Sequence, residues 1–284
     1  MSRRENTFMP HDFQQQIIDE FRAGKGRVGG PFEGARLLLL TTTGARTGRP
    51  HTTPLGYLPD GGGRMLVIAS AGGSPKHPAW YHNLVANPRV TVETGAFTLE
   101  ADATVLQGEE RDAIFARAVE SDPGWAEYEV KSGRVLPVVA LTPVASPVAG
   151  MRGGDALTAI HDAFRKELAL VRAEVARSGP AIGAQLRVNC LTLCAGLHHH
   201  HSGESGGLFP RLRLDHPELA PALDRLEEEH QEVARLLDDL QRALDSGSPD
   251  LAAEVDRLAT AIEAHLDYEE LHLVPVLNGD AGPR

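Results

Sequence analysis

Five histidines and two glutamates in the C-terminal half stand where helical heptads would otherwise place leucine. In Leu219, Leu223, Leu226, His230, Val233, Leu237, Leu240, Leu244, one imidazole interrupts an apolar stripe of three- and four-residue steps. Leu251, Val255, Leu258, Ile262, His265, Glu269, His272, Val276 is a second such stripe and Leu186, Cys190, Leu193, Leu197, His200, Glu204 a third. Leu157, His161, Phe164, Leu168, Val171, Val175 makes a fourth. Buried without partners, such polar groups cost about 1 to 3 kcal/mol each, the carboxylates more. A metal centre inside a four-helix bundle would satisfy them together. His200 with Glu204, and His265 with Glu269, are four residues apart, so each pair leaves one helical face about one turn apart. Imidazole mixed with carboxylate suits a pair of iron ions bridged by carboxylates, with manganese or zinc as other occupants. His272 alone reads as structural, and His216 beside Pro217 as a helix cap.

The elements that must position these groups follow from the same pattern. Helices are expected at about 155–178, 182–212, 217–245 and 249–277, punctuated by Ser178-Gly179-Pro180, His216-Pro217 and Ser246-Gly247-Ser248-Pro249. Such short connections give an up-down-up-down bundle. The first half has a different grammar: a helix near 11–24, then short β-branched runs at 36–43, 52–58, 65–71, 90–93, 97–106 and 135–141 between Gly, Pro and Asp signals. Helical patterns interrupt only at about 78–86 and 109–131, so six strands suggest a small, partly closed β-barrel. The run TPVASPVAGMRGG is rich in Pro, Gly and Ala without a period, which marks a linker. The expected fold class is therefore multidomain α+β: a β-barrel domain over 1–143, a linker at 144–154 and an all-α bundle over 155–278.

A chain of 284 residues has room for two such cores. Charge is unevenly shared: residues 1–145 sum to −1 and 146–284 to −10, with nine of the 13 histidines in the acidic part. That balance argues against nucleic acid and anionic membrane and suits cation binding. No apolar run approaches the roughly 20 residues of a membrane span, and MSRRENTFMPHDF lacks a signal-peptide core, so a cytoplasmic protein is expected. Two cysteines, Cys190 and Cys194, exclude a disulfide framework and read as small packing residues.

In the first half the chemistry concentrates between Thr41 and Pro88. TTTGARTGRPHTTPL sets Arg46, Arg49 and His51 in a Gly-punctuated turn between strands, where phosphate or carboxylate can meet backbone N–H groups and cations. ASAGGSPKHPAWYHNLVANPRV supplies a second polar loop, Gly72, Gly73, Ser74 and Lys76, leading to a helix start that favours anions. Trp80 and Tyr81 either flank a planar ring or pack the core. Tyr57, Tyr81 and Tyr128 are the candidate proton donors, with packing as the alternative for each.

These two segments resemble the deazaflavin-dependent nitroreductase family, whose split β-barrels, of FMN-binding type, take coenzyme F-420; the likeness runs from about residue 20 to 143. It implies a phosphate tail against the two polar loops and a ring near the strand after Pro54, with Arg46, His51, Pro54, Ser70, Gly72, Lys76, Trp80 and Asn83 as contacts. His51 stands where relatives often have Arg, and Ala71 where a basic residue is frequent. The implied reaction is hydride transfer from reduced coenzyme to a quinone or nitro-type small molecule; the cofactor carries the chemistry and the protein positions it. FMN is the alternative coenzyme, since related split barrels use it, and a homodimer through the barrel fits the same resemblance.

HDAFRKEL at 161, HHHHSGESGGLFP at 198, LEEEH ending at 230 and HLDYEELHLVPVL at 265 resemble the signature segments of hemerythrin-like, HHE-type cation-binding domains. The resemblance covers about 155–278 and implies His161, His200, Glu204, His230, His265 and Glu269 as ligands of a non-haem di-iron centre that binds or senses oxygen, nitric oxide or iron. His201 occupies a position that is often Glu in such domains. The two resemblances together imply a reductase fused to a di-iron bundle. A metal-storage or sensor protein whose barrel has lost catalysis is the competing expectation.

Overall fold

The computed structural model describes residues 11–178 and 182–279, with side chains from Phe13 onward. Gly179 and Pro180 of the expected break after Ser178 lie outside the described residues. The chain divides into two compact units, one of residues 1–149 with 183–185, the other of 150–182 with 186–284. No described helix is long and apolar enough to cross a membrane.

In chain order the first unit has α1 (His11–Ala23), β1 (Leu37–Thr43), β2 (Pro50–Gly56), β3 (Leu58–Pro59), β4 (Met65–Ile68), α2 (Ala79–Ala86), β5 (Arg89–Glu93), β6 (Thr98–Val105), α3 (Gly108–Ser121), α4 (Gly124–Ser132) and β7 (Val138–Pro143). The strands form one antiparallel sheet in the order β2-β1-β5-β6-β7-β4-β3, which curls into a split barrel. Strand alternation builds two sides from one run of sequence. Leu38 and Leu40 join Met65, Val67, Val92 and Val139 on the inner side, where Trp80 and Leu84 of α2 seat. Leu37 and Leu39 instead meet Ile17, Ile18 and Phe21 of α1. Leu66 and Ile68 likewise face Ile114 and Phe115 of α3. Because helices cover the outer side, both β1 and β4 read as unbroken apolar runs, each leucine contributing about 1.5 to 3 kcal/mol on burial.

Three departures from the expected elements have local causes. The strand expected over 52–58 begins at Pro50 and ends at Gly56, beyond which Leu58 and Pro59 leave β1 to pair with β4 as β3, raising the strand count from six to seven. The helix expected over 109–131 is two, because Pro123 has no N–H to continue α3, and Asp122 Oδ1 accepts the Gly124 N–H at 2.8 Å to start α4. The strand expected from residue 135 begins at Val138, since the Leu136 N–H is taken by Glu129 Oε1 at 2.9 Å.

The second unit has α5 (Gly153–Ser178), α6 (Ala184–Gly203), a π-helical turn at Glu204–Leu208, α7 (Phe209–Asp215), α8 (Ala220–Ser246) and α9 (Leu251–Leu277). The helix expected over 182–212 is thus interrupted. Two apolar layers fill the bundle: Leu168, Val171, Leu197, Val233, Leu240, Leu258 and Ile262 in one, Leu157, Phe209, Leu212, Leu223, Leu226 and Leu273 in the other. In every helix the chemistry-bearing residues fall between the two layers. Helix starts matter here. Counted from the expected starts at 155 and 217, His161 and His230 would be staggered by seven residues; α5 begins at Gly153 and α8 at Ala220. The stagger shrinks to two residues, about 3 Å at 1.5 Å per residue.

Candidate metal centre and coenzyme site

The layer between the two apolar cores holds five imidazoles and two carboxylates, supplied by all four helical arms. His161 (α5), His201 (α6), Glu204, His230 (α8), His265 and Glu269 (both α9) are buried, and His200 (α6) is nearly so. Their donor atoms form two groups, each within 4.8 Å: His161, His200, Glu204 and Glu269, and beside it His201, His230 and His265. The carboxylates span both groups. Glu204 lies 3.3 Å from His200 Nε2 through Oε1 and 3.6 Å from His230 Nε2 through Oε2. Glu269 Oε2 lies 3.4 Å from His161 Nε2 and 3.6 Å from His265 Nε2.

The π turn is what lets α6 serve this layer. Its extra residue makes Phe209 N–H bond the Glu204 carbonyl, five residues back. Glu204 and Phe209 therefore both point inward, and Phe209 stacks on His230 at 5.2 Å between ring centres while His201 stacks at 4.3 Å. Ser205, within the same turn, lies 2.8 Å from His230 Nδ1.

Outer partners fix which ring nitrogen faces inward. His161 Nδ1 donates to Glu270 Oε1 at 2.9 Å, and Arg165 Nη1 holds that oxygen at 2.7 Å. His265 Nδ1 donates to Glu229 Oε2 at 3.0 Å. With Nδ1 occupied by hydrogen, each Nε2 presents a lone pair to the centre, as metal-ligating histidines require.

Whether the residues suit a pair of metal ions is tested by what they leave unsatisfied. Both oxygens of Glu204, both of Glu269 and the Nε2 atoms of His201, His230 and His265 are buried without a hydrogen-bond partner. Seven orphaned donor atoms converging on one layer would be a heavy cost in a purely structural core. Two divalent cations would satisfy all seven, so the donor set fits.

Titration behaviour follows the same crowding. Burial, then the charge of Glu269, pushes the Glu204 carboxyl up to about 10. Burial would also raise Glu269, but His161, whose Nε2 lies 3.4 Å from Oε2, outweighs it and holds that group below the ordinary range. Burial pulls His200 and His230 down to about 4. His161 is raised, because Glu269 and Glu270 together outweigh its burial. The metal-free centre thus keeps a proton on Glu204 and one on the His161–Glu269 pair, where a cation would otherwise sit. Cation uptake should release protons, and affinity should rise with pH toward about 10, where Glu204 ionises unaided. Calorimetry in buffers of different ionisation enthalpy reads this; uptake with no proton release contradicts it.

His201 is the residue that sequence reasoning left out of the ligand set. The available signal was its spacing: Leu197, His201 and Glu204 follow the same three- and four-residue steps as the stripe through His200. His272 is not part of the layer; its Nδ1 bonds the Tyr268 carbonyl at 2.8 Å and its ring packs on Tyr268. His216 is the cap residue expected: its backbone N–H bonds the Leu212 carbonyl at 2.7 Å to close α7, while its side chain pairs with Glu218 at 3.2 Å on the surface.

In the barrel, Asn83 of α2 ties the β1–β2 turn to the helix. Its Oδ1 accepts the Ala45 N–H at 3.0 Å, and its Nδ2 donates to Thr42 Oγ1 at 3.1 Å. Arg46 and His51 are exposed on that turn, and a side chain at Gly44 would come within 2.9 Å of His51 Nε2, so glycine lets the turn close. Ser70 and Gly72 are half-buried and Lys76 exposed on the loop that leads into α2, and Pro54 is buried in β2. Of the expected ring contacts Trp80 is the exception. At 5% exposed it belongs to the inner core and seats α2 on the sheet, with no ring face presented, which is the packing alternative. The three tyrosines are separated: Tyr57 and Tyr81 pack against the inner cluster, Tyr128 against Trp125 on the outer side.

A curled antiparallel barrel with two polar loops beside α2, and a bundle with a buried His/Glu layer, define a flavin-type reductase fold joined to a cation-binding fold. Comparison with known proteins gives the families. Residues 14–143 match the F420H(2)-dependent quinone reductase family and residues 152–277 the hemerythrin HHE cation binding domain. The F420H(2)-dependent quinone reductase Rv1261c of Mycobacterium tuberculosis (strain H37Rv) is 38% identical over 126 residues, 43% of this chain and 84% of the relative. The putative F420H(2)-dependent quinone reductase Rv3178 of the same organism is 30% identical over 106 residues, 37% of this chain and 88% of the relative. A solved F420-H2 dependent reductase (FDR-A) is 42% identical and covers 37% of this chain and 93% of its own, with a TM-score of 0.35. The chain belongs to the F420H(2)-dependent quinone reductase family and carries a hemerythrin HHE cation-binding domain fused after it.

Proposed function

We propose that the barrel, residues 1–143, transfers hydride from reduced coenzyme F-420 to a quinone- or nitro-type acceptor, and that the bundle, residues 155–278, holds two iron ions and binds or senses oxygen, nitric oxide or iron, with 144–154 joining them. The reductase reading is carried by family membership. The metal reading is carried by the seven orphaned donor atoms of one buried layer. When bound, the coenzyme supplies the hydride. Arg46, His51, Ser70, Gly72 and Lys76 bind its acidic tail, Asn83 orients the loop beside it, the chain near Pro54 lies along its ring, and Tyr57 or Tyr81 lines the acceptor side. In the bundle His161, His200, His201, His230, His265, Glu204 and Glu269 would hold the ions, whose chemistry there would be the binding of a small oxidant.

A cytoplasmic location and a homodimer through the barrel belong to this reading; two cysteines not joined in a disulfide suit a reducing compartment. Fluorescence titration with oxidised coenzyme F-420, then turnover with a soluble quinone, tests the barrel. Saturable binding and coenzyme-dependent quinone reduction are expected. FMN bound in its place, or no binding at concentrations of tens of micromolar, overturns the reductase reading.

A further inference from the structure

The loop that carries Ser70, Gly72 and Lys76 has an improbable backbone. Ala71, Gly72 and Gly73 have φ of 49°, 62° and 77°, three successive residues in left-handed conformation, the first of them not a glycine. Such a run costs of order 1 kcal/mol or more for the non-glycine residue and persists only where the surroundings impose it. The imposing group is Arg134, which sits far along the chain between α4 and β7.

Each of its three guanidinium nitrogens bonds this one loop. Nη2 donates to the carbonyls of Ala69 at 2.9 Å, Ser70 at 3.1 Å and Lys76 at 3.4 Å. Nε donates to the Ser74 carbonyl at 3.1 Å and Nη1 to His77 Nδ1 at 3.0 Å. The guanidinium bonds no carboxylate among these, so its role is to gather carbonyl oxygens that would otherwise diverge. The loop's own N–H groups are used in holding it together, those of Ser70, Gly73 and Ser74 bonding the Ile68, Ser70 and Ala71 carbonyls and that of Lys76 bonding Ser74 Oγ, so what the guanidinium sets is the course of the loop and with it where Ser70 and Lys76 stand.

The arginine is itself held in place. Its backbone N–H bonds Ser132 Oγ at 3.3 Å, and two residues on, the Leu136 N–H bonds Glu129 Oε1, which Arg111 Nη2 grips at 2.6 Å. Gly133, with φ 64°, closes α4 immediately before it. Lys131 lies across Gly73, where a Cβ would come within 2.8 Å of Lys131 Cδ. α4 and the segment after it therefore form a mould against which the 69–77 loop is cast.

We propose that Arg134 is a positioning residue for the coenzyme: it sets the course of the 69–77 loop so that the Ser70 and Lys76 side chains are placed to receive the acidic tail, and it fixes His77 with hydrogen on Nε2. The inference rests on the reductase reading above. Since Arg134 faces carbonyl oxygens and a ring nitrogen, it touches neither coenzyme nor acceptor.

Arg134→Ala tests it in the full-length chain, with coenzyme F-420 binding measured by fluorescence and turnover measured with a soluble quinone. Misplacing the loop should weaken coenzyme binding about 10- to 100-fold, with a much smaller change in kcat at saturating coenzyme. Millimolar guanidinium should restore the affinity of Arg134→Ala and leave wild type unchanged, whereas Arg134→Lys, with a point charge in place of the planar fork, should stay impaired. Amide exchange should quicken over 70–77 and stay unchanged in β1 and β5, which separates loop release from global unfolding. Wild-type affinity in a folded Arg134→Ala, or a defect that guanidinium does not relieve, overturns the inference and leaves the reductase reading intact. Failure of wild type to bind the coenzyme overturns both.

Discussion

Glu204→Leu is expected to make the metal-free protein more stable while removing its metal. Glu204 is 5% exposed, both its oxygens lack hydrogen-bond partners, and burial with the neighbouring charge of Glu269 pushes its carboxyl up to about 10. A leucine there removes two orphaned acceptors and joins an apolar layer already containing Phe209 and Leu212. Relief of that desolvation is worth about 1 to 3 kcal/mol, a rise of several degrees in Tm. Wild type gains more from its ions than the variant gains from leucine: binding at a thousand times Kd contributes about 4 kcal/mol. The expected order of Tm is metal-loaded wild type, then Glu204→Leu, then metal-free wild type. A variant less stable than metal-free wild type would mean that Glu204 has a structural role that its surroundings do not show.

Acidification should act on the metal-free bundle in a defined window. His200 and His230 are pulled from the ordinary 6.5 down to about 4 by burial, so the folded state binds fewer protons than the unfolded chain between those values. Stability from these two groups is present above pH 6.5 and is lost as the pH falls toward 4. Helical ellipticity against pH, with and without bound metal, reads it, and the loaded protein should resist to lower pH.

The second large effect is expected at Asn83, which joins Thr42 of β1 and Ala45 of the following turn to α2. Asn83→Ala leaves the Ala45 N–H without its acceptor at 3.0 Å and takes away the donor that Thr42 Oγ1 receives at 3.1 Å. Thr42 is 1% exposed, so water replaces little of the loss, and the barrel should lose about 1 to 3 kcal/mol. Freeing the turn that carries Arg46 and His51 should weaken coenzyme binding about 10-fold or more. Asn83→Asp, which keeps the acceptor and loses the donor, should fall between. Metal content should be unchanged in both variants; a fall in iron would show that the two units are coupled.

How much of this was legible in the sequence depended on whether periodicity carried the information. The heptad stripes picked out His161, His200, Glu204, His230, His265 and Glu269 together with His272, because an α-helix repeats its inward face every three or four residues and a polar residue in that register stands out; periodicity did not separate His272, which bonds the Tyr268 carbonyl, from the other six. The same rule failed at the π turn. Continued past Glu204 at helical period it puts Leu208 inward, whereas the five-residue step puts Phe209 there, at 0% exposed. Nothing in Glu204-Ser205-Gly206-Gly207 announces that step. The barrel strands were legible as β-branched runs, but the switch of Leu58 and Pro59 to β4 and the late start of β7 depend on partners distant in the chain, β4 and Glu129, which no local pattern encodes. Arg134 was invisible for the same reason: its acceptors lie about 60 residues away in the chain.

Metal binding by the bundle rests on the buried layer between its two apolar cores. Elemental analysis of full-length protein purified from iron-replete cells, with Mössbauer spectroscopy on the same sample, measures it directly. Two iron ions per chain, magnetically coupled as a pair and lost on substitution of Glu269, are the expected result. A stable, folded chain that carries no iron and takes up no divalent cation would contradict it.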